Sequence, residues 1–551
     1  VSATAIPEIA VLIATHNRRE RLRRCLDALA AQTLDPDRFE VVVADDGSGD
    51  GTATMVEQLA MPFRLRALAL PKGGKSVAVN AALAASGARV CLFIDDDVIA
   101  SPQLLDEHLA ANLEQPMALC IGRLTQRAPE SPDWFGHAHA AAWNERYDEL
   151  AKREPDWADC YGANFSAPRQ VLTEIGGFDT ALSSIEDIQL GFRLVEASCV
   201  PVYRANAAAL HDDEKSRDRI LADIVDYGRF CAEFGDRRPE ARPRLLGWYR
   251  DTTPRELWLR QLLLAVRLPP ALLAAPGRAL PGDSRKRVWF GFVSRYGFWH
   301  GVRRAMTRRR WRETTRGVPV LLYHAFTEAR EGGTYVAPKR SFARQMRLLA
   351  ALGYKVISAE ELARCLRQQR LPAERTAVIT IDDGYADNYE VALPVLRRHG
   401  FPATIYLVAG RLGASNDWNS DGAAKDRPML SREQIRTMQR DDDIRFGSHT
   451  QTHCSLPEMS DEVATREIEG SRTDLEKTLE TPVTTFAYPY GNLDERILRL
   501  VGDSAYEGAY ASHEQTLVAL GDDPRRLPRV EITGTESVLS FLRKLWFGGS
   551  R

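Results

Sequence analysis

The run Thr376-Ala377-Val378-Ile379-Thr380-Ile381-Asp382-Asp383-Gly384 decides the fold of the second half of this 551-residue chain. Ala377 to Ile381 is apolar or β-branched at every position, the pattern of a strand buried on both faces. Two adjacent carboxylates follow, at the strand end where α/β sheets place their ligands. A second segment, His449-Thr450-Gln451-Thr452-His453, sets two imidazoles four residues apart, on one face if the stretch takes a helical turn. One carboxylate and two histidines make a three-ligand divalent-metal site with a position left for water. The spare carboxylate can act as a base, so the pair of segments draws a hydrolase site.

Outward from this strand, residues 318–322, 403–407, 444–447, 484–487 and 527–532 also read as strands, with helical stretches between them. Such β/α repetition predicts a distorted (β/α) barrel over 317–551, with its site at the C-terminal strand ends. The first half alternates in the same way. Strands are expected at 10–14, 40–44 and 90–94, and helices at 18–31, 52–59 and 77–85. That is an α/β, Rossmann-like domain over 8–236 with a mainly parallel sheet.

Between the two lies a basic connector, 237–316. It holds 20 Lys/Arg against 5 Asp/Glu, in a chain whose net charge is −2. Such a segment suits an acidic surface such as anionic lipid, or docks on its own domains. Residues 257–275 contain Arg260, Arg267 and Pro269-Pro270, and fail as a membrane-spanning helix. They fit an interfacial helix together with 288–306, which mixes Trp289, Phe290, Phe292, Tyr296, Phe298 and Trp299 with Arg and Lys. The competing reading is a helix packed on a neighbouring domain. Peripheral contact with the inner face of a membrane through 254–312 is therefore an expectation. No nucleic-acid module is present, and no nucleic acid is expected as partner. The eight cysteines form no C-x-x-C pair and several sit in apolar runs, which predicts a reduced, cytoplasmic chain. No charged leader followed by a long apolar stretch is read at the N-terminus, so no signal peptide is expected.

Three acidic clusters mark the first domain: Asp45-Asp46-Gly47-Ser48, Asp95-Asp96-Asp97 and Glu186-Asp187. Carboxylates at strand ends need a cation or hydrogen bonds, and consecutive Asp residues suit Mg²⁺ or Mn²⁺ with substrate phosphates. No G-x-G-x-x-G follows the first strand, and Ala69 stands where a P-loop ending in Gly74-Lys75-Ser76 needs its first Gly. Taken with Val11-Leu12-Ile13-Ala14-Thr15-His16-Asn17-Arg18 and Gly176-Gly177-Phe178-Asp179, these segments resemble family-2 glycosyltransferases with the GT-A fold. The resemblance implies that Asp46 binds the base of a UDP-sugar. It implies that Asp97, helped by Asp95, holds the metal. It makes Asp187 the general base for an inverting, in-line displacement. Lys72 and Lys75 are candidates for phosphate contact, Lys75 the preferred one. His211, before Asp212-Asp213, is a candidate to touch the diphosphate or metal, with a structural role the preferred reading. Processive synthases of this superfamily carry Q-x-x-R-W; here Thr307-Arg308-Arg309-Arg310-Trp311 lacks the Gln, so a non-processive enzyme is expected.

The second domain resembles polysaccharide deacetylases of carbohydrate esterase family 4. The match rests on Val320-Leu321-Leu322-Tyr323-His324, Thr380 to Gly384, Gly447 to His453 and Phe486-Ala487-Tyr488-Pro489-Tyr490-Gly491. It implies that Asp383, His449 and His453 hold Zn²⁺ or a similar divalent transition metal. Asp382 would be the base and the Tyr490 backbone N–H an oxyanion donor. Two departures matter. Ala487 stands where an Arg often partners the base, and Leu527-Pro528-Arg529 lacks the late His. One branch of the family takes its acid from the first-strand His, which assigns that role to His324, with His513 a weaker substitute. The combined expectation is a bifunctional enzyme. It would add a sugar from a nucleotide donor to a glycan or lipid-linked acceptor, and remove an N-acetyl group from a sugar such as GlcNAc. The alternative is a lone glycosyltransferase whose second domain only binds carbohydrate.

Overall fold

The structure is a computed structural model and describes residues 6–131, 133–182, 185–247, 254–418, 426–440, 443–512 and 516–548. The chain divides into two compact units, Val1–Ala305 and Met306–Arg551.

The first unit is an α/β layer built on eight strands. These are β1 (Ile9–Thr15), β2 (Phe39–Asp46), β3 (Arg64–Leu70), β4 (Val90–Ile94), β5 (Val98–Ala100), β6 (Ala118–Gln126), β7 (Asn164–Pro168) and β8 (Val200–His211). Their order across the sheet is β3-β2-β1-β4-β7-β6-β8-β5. β1 to β4 pair in parallel, and β7 runs antiparallel to both β4 and β6. β1 and β4 are buried on both faces, which is why they read as continuous apolar runs. The register sets Thr15 opposite Asp45, and β4 ends at Ile94 beside β1. Val98 pairs with His211. The acidic clusters of β2 and β4 and the end of β8 therefore gather at one edge.

Much of the stretch read as a separate connector is part of this unit. The helix Asp283–Ala305 lies along Arg217–Arg237 and buries Phe290, Phe292, Val293, Tyr296, Phe298, Trp299 and Val302. Two glycines permit the close approach: a Cβ on Gly228 or Gly301 would collide with the facing carbonyls of Phe298 and Val225. The aromatics that suggested an interfacial helix are thus mostly packing residues. Leu259, Leu262, Val266, Leu272 and Val288 do stay exposed. Among the described residues no helix is long and apolar enough to cross a membrane. The helix Arg308–Thr315 falls in the second unit.

The second unit is a nearly closed parallel sheet. Its strands are β9 (Val320–Tyr323), β10 (Ala325–Thr327), β11 (Val336–Pro338), β12 (Lys355–Ile357), β13 (Thr376–Ile381), β14 (Ala403–Leu407), β15 (Ile444–Ser448), β16 (Thr485–Ala487), β17 (Gly508–Ala511), β18 (Leu527–Pro528) and β19 (Val530–Glu531). The main order is β18-β17-β16-β15-β14-β13-β9-β19, with β12 beside β13 and a separate β10-β11 pair. The stretch expected as one strand over 527–532 is two short ones. β18 pairs with β17, and β19 pairs with β9 at the opposite end of the sheet. The residue between them is Arg529, which is fully buried. A single chain segment thus bridges the two ends of the sheet and makes the closure.

Candidate active sites

In the second unit, the site follows from the ends of β13 and β15. Asp383 leaves β13 at φ 74, and Gly384 continues at φ 79. The His449–His453 stretch is not a helical turn. It is a loop in which Thr450 (φ 67) and His453 (φ 66) both take the left-handed conformation. Three non-glycine residues held there mark a locally strained site. The loop is clamped from below: Glu467 accepts from the backbone N–H groups of Gln451 and Thr452, each at 2.9 Å, and from the Thr452 hydroxyl.

These distortions make ligand atoms converge. Those of Asp383, His449 and His453 lie within 4.8 Å of one another. Asp383 Oδ1 is 3.2 Å from His453 Nε2 and 3.5 Å from His449 Nε2. His449 Nδ1 sits 2.8 Å from the Ala487 carbonyl. That carbonyl can only accept, so Nδ1 carries the proton and Nε2 presents its lone pair to the triad. Burial holds the His449 imidazole down at about 4, neutral at pH 7. Burial works to raise Asp383, but His453, His324 and His449 hold it well below the carboxylate range. Asp383 Oδ1 is buried without a hydrogen-bond partner. A buried carboxylate oxygen without a hydrogen bond, facing the Nε2 atoms of two imidazoles, fits a divalent cation.

Asp382 is in a different position from its neighbour. Its two oxygens accept a bidentate pair from Arg529, at 2.6 and 2.8 Å, inside the barrel. Burial again opposes ionisation, and Arg529 and His449 overcome it, so Asp382 stays below its ordinary value. His324 follows β9, with its ring against Tyr335 at 5.0 Å and close enough to favour ionisation of both Asp382 and Asp383. Tyr490 sits at φ 58 in the Pro489-Tyr490-Gly491 turn, its ring 4.7 Å from His453. Trp418 stacks on the other side of His453 at 4.3 Å. His513 lies outside the described residues.

In the first unit, Asp95, Asp97 and His211 also bring ligand atoms within 4.8 Å of one another. Asp97 is drawn on by His211 (3.1 Å), Arg18 (2.7 Å) and Arg21 (3.3 Å), which hold its carboxyl far below the usual range against its burial. Asp96 turns aside to Thr15 and Arg18, and burial lifts it to about 6. Asp97 Oδ1 and His211 Nδ1 are buried without hydrogen bonds. Two carboxylates and an imidazole converging in this way fit a divalent cation. Lys75 reaches Asp95 at 2.8 Å and Glu186 at 3.8 Å, tying the triad to the start of the Glu186–Glu196 helix. There burial, with Glu186 and Asp95 nearby, pushes Asp187 up to about 7 despite Lys75. Asp46 accepts from the N–H groups of Gly73 (2.6 Å) and Gly74 (3.0 Å), so it anchors the loop leading to Lys75.

Family models match the two halves separately: glycosyl transferase family 2 over residues 10–176, and polysaccharide deacetylase over 369–509. The chain joins a family 2 glycosyl transferase domain to a polysaccharide deacetylase domain. Both are enzyme domains, one transferring glycosyl groups and one removing acetyl groups from carbohydrate. Curated relatives are similar to one half or the other. The protein named "Putative polysaccharide deacetylase YxkH" of Bacillus subtilis (strain 168) is 29% identical over 37% of the chain and 69% of its own length. Validoxylamine A glucosyltransferase of Streptomyces hygroscopicus subsp. limoneus is 29% identical over 44% of the chain, and the match spans 59% of that relative. Poly-beta-1,6-N-acetyl-D-glucosamine N-deacetylase of Staphylococcus aureus (strain MSSA476) is 23% identical over 40% of the chain and 76% of its own length.

Two residues depart from their sequence expectations. His211, expected first as structural and second as a metal or diphosphate contact, stands with Asp95 and Asp97 in the acidic triad of the first unit. Arg529 was noted only as the absence of a His, yet it supplies the cation that Ala487 lacks. A signal for it existed: an Arg inside the apolar run Leu527-Pro528-Arg529-Val530 demands a buried carboxylate.

Proposed function

We propose a bifunctional carbohydrate enzyme: non-processive, inverting transfer of a sugar from a UDP-sugar to a glycan or lipid-linked hydroxyl, and hydrolysis of an N-acetyl group from a sugar of the GlcNAc type. One observation carries the reading. Each unit sets a carboxylate base beside its own converging ligand triad, Asp187 in the transferase and Asp382 in the deacetylase.

In the transferase, Mg²⁺ or Mn²⁺ at Asp95, Asp97 and His211 would balance the charge of a departing nucleoside diphosphate. Lys75 adds a cation on the same side. Asp187 takes the acceptor hydroxyl proton, and its value near 7 suits a base that works at neutral pH. In the deacetylase, Zn²⁺ or a similar ion at Asp383, His449 and His453 would polarise water and the acetyl carbonyl. Asp382, kept ionised by Arg529, receives the proton of the attacking water. The Tyr490 backbone N–H serves the developing oxyanion, and His324 delivers a proton to the amine that leaves. The carbohydrate-binding-module reading drew on the missing Arg at 487 and on the missing late His; the Arg529 pair with Asp382 answers the first of these, and His324 is the donor proposed in place of the second.

The reading extends to place. Exposed Leu262, Val266 and Leu272 lie among arginines in the 254–312 stretch and support peripheral contact with anionic lipid. Eight free thiols suit the cytoplasmic face.

The test is a panel of nucleotide sugars with Mg²⁺ or Mn²⁺, with and without lipid, read by mass spectrometry for added sugar and lost acetyl. Asp187→Asn should abolish transfer and spare deacetylation of a GlcNAc oligomer, and Asp382→Asn should do the reverse. If neither gain nor loss of mass occurs with any donor or oligomer, the proposal fails.

A further inference from the structure

In the transferase sheet β8 is out of step with its neighbour, and the step decides where His211 stands. β6 and β8 pair in parallel, with Gly122 beside Arg204 but Arg123 beside Ala208. Ala205, Asn206 and Ala207 are looped out between them, the first two exposed and Ala207 fully buried. Beyond this bulge the pairing resumes, and His211 comes to lie opposite both Gln126 and Val98. Unbroken pairing from Gly122 and Arg204 would set Ala208, not His211, beside Gln126. A shift by an odd number of residues also reverses the face that every later side chain takes. The bulge therefore delivers the His211 imidazole to Asp97, 3.1 Å away.

A buried polar cluster holds the bulge in place. Asn164 starts β7 opposite Ile94, the residue before Asp95, and is 3% exposed. Its side-chain amide donates to the carbonyls of Arg123 (3.1 Å) and Ala207 (2.9 Å), one on each strand at the break. With both N–H groups spent, only its oxygen remains for His108, whose Nε2 lies 2.9 Å away. His108 thus carries its proton on Nε2, and its Nδ1 accepts from the Ser166 hydroxyl at 2.9 Å. Burial keeps this imidazole neutral, pushed down to about 4. Gly122 makes the room: a Cβ there would lie 2.4 Å from both the Ala207 carbonyl oxygen and the Asn164 amide nitrogen. Each donor meets one acceptor set, so the cluster has a single satisfied arrangement.

We infer that Asn164, with His108 behind it, is a positioning residue for the cation site of the transferase. By pinning the Arg123 and Ala207 carbonyls it fixes the register that presents His211 as the nitrogen ligand beside Asp95 and Asp97. The Asp212 N–H, bonded to the Asp97 carbonyl at 2.9 Å, ties down the far end of the same strand. Without the Asn164 amide, the Ala207 carbonyl is a buried acceptor that has lost its donor, and the bulge must repack to satisfy it. The inference rests on the reading of Asp95, Asp97 and His211 as a cation site, and it names what holds the third ligand there.

Mn²⁺ tests this without turnover. The full chain carries His449→Ala and His453→Ala, so that the second unit's triad adds no imidazole signal. In this parent, pulsed electron paramagnetic resonance of bound Mn²⁺ should show coupling to an imidazole nitrogen, and His211→Ala should remove it. Asn164→Leu and Gly122→Ala disturb the cluster from two different strands. Each should lose the coupling and weaken Mn²⁺ binding by about tenfold, the lower end of what lost ligand support costs. His108→Gln still offers Asn164 an N–H and should keep both. Urea denaturation identifies the folded variants, and Asn164→Ser, a milder change, replaces any that does not fold. A residue that only stabilised the sheet would lower the urea midpoint and leave the coupling and affinity of the folded protein unchanged; that result overturns the proposal. So does Mn²⁺ bound to the parent without nitrogen coupling. Failure of the parent to bind Mn²⁺ at all would sink the cation reading itself, and this inference with it.

Discussion

Arg529 carries more of the deacetylase chemistry than its position after a Pro suggests. Bidentate pairing inside the barrel holds Asp382 below its ordinary value although burial works to raise it. Removing the cation raises the Asp382 value, so the acid limb of the deacetylation pH profile should move to higher pH in Arg529→Met. Arg529→Lys, which keeps the charge, should restore much of the profile, a difference that a merely structural role would not produce. The pair also links pH to stability. Because the folded value is depressed, its contribution is present above the unfolded value of about 3.9 and is lost as pH falls through the folded value. Breaking the pair from one side should cost about 3–5 kcal/mol, measured by urea denaturation, because it strands a buried carboxylate.

The His449–His453 loop shows what one element contributes. Its two left-handed residues aim both imidazoles at Asp383, and Glu467 holds the backbone between them. Glu467→Ala should lower affinity for added Zn²⁺ by about 10–100-fold, the usual effect of losing such support. Competition with a chromophoric chelator reads this directly. An unchanged affinity would mean that the loop holds its shape unaided. Strands such as β1, β4 and β13 were legible in the sequence because burial on both faces leaves an unbroken apolar run. β12 and β17 were not, since three or four residues, with Gly508 among them, carry too little pattern. That a carboxylate and the two histidines come together was legible from residue types and spacing. The helical turn expected for it was not the answer, because convergence on Asp383 needs positive φ at Thr450 and His453. Arg529 and Asp382 are 147 residues apart, and no local pattern spans that distance.

At the scale of the whole molecule, the basic stretch is divided between two folded units rather than forming a third. Among the described residues Phe290, Phe292, Tyr296, Phe298 and Trp299 pack inward, and the proposed lipid contact rests on the exposed apolar side chains. Sedimentation with vesicles should therefore require anionic lipid and weaken as salt rises. Val266→Glu or Leu272→Glu should each weaken it by about tenfold, the transfer energy of one such side chain. Equal binding to neutral vesicles would argue against the charge complementarity.

The seam at Arg529 also has a consequence in time. A ribosome makes the chain from its N-terminus, so β13 and its two carboxylates emerge long before the segment that closes the ring and neutralises Asp382. Until that segment arrives, the nascent domain holds an open sheet edge and an unpaired buried acid. Hydrolysis therefore begins only when synthesis of this domain is nearly complete, while the transferase, whose site lies wholly in residues already made, is free to fold first.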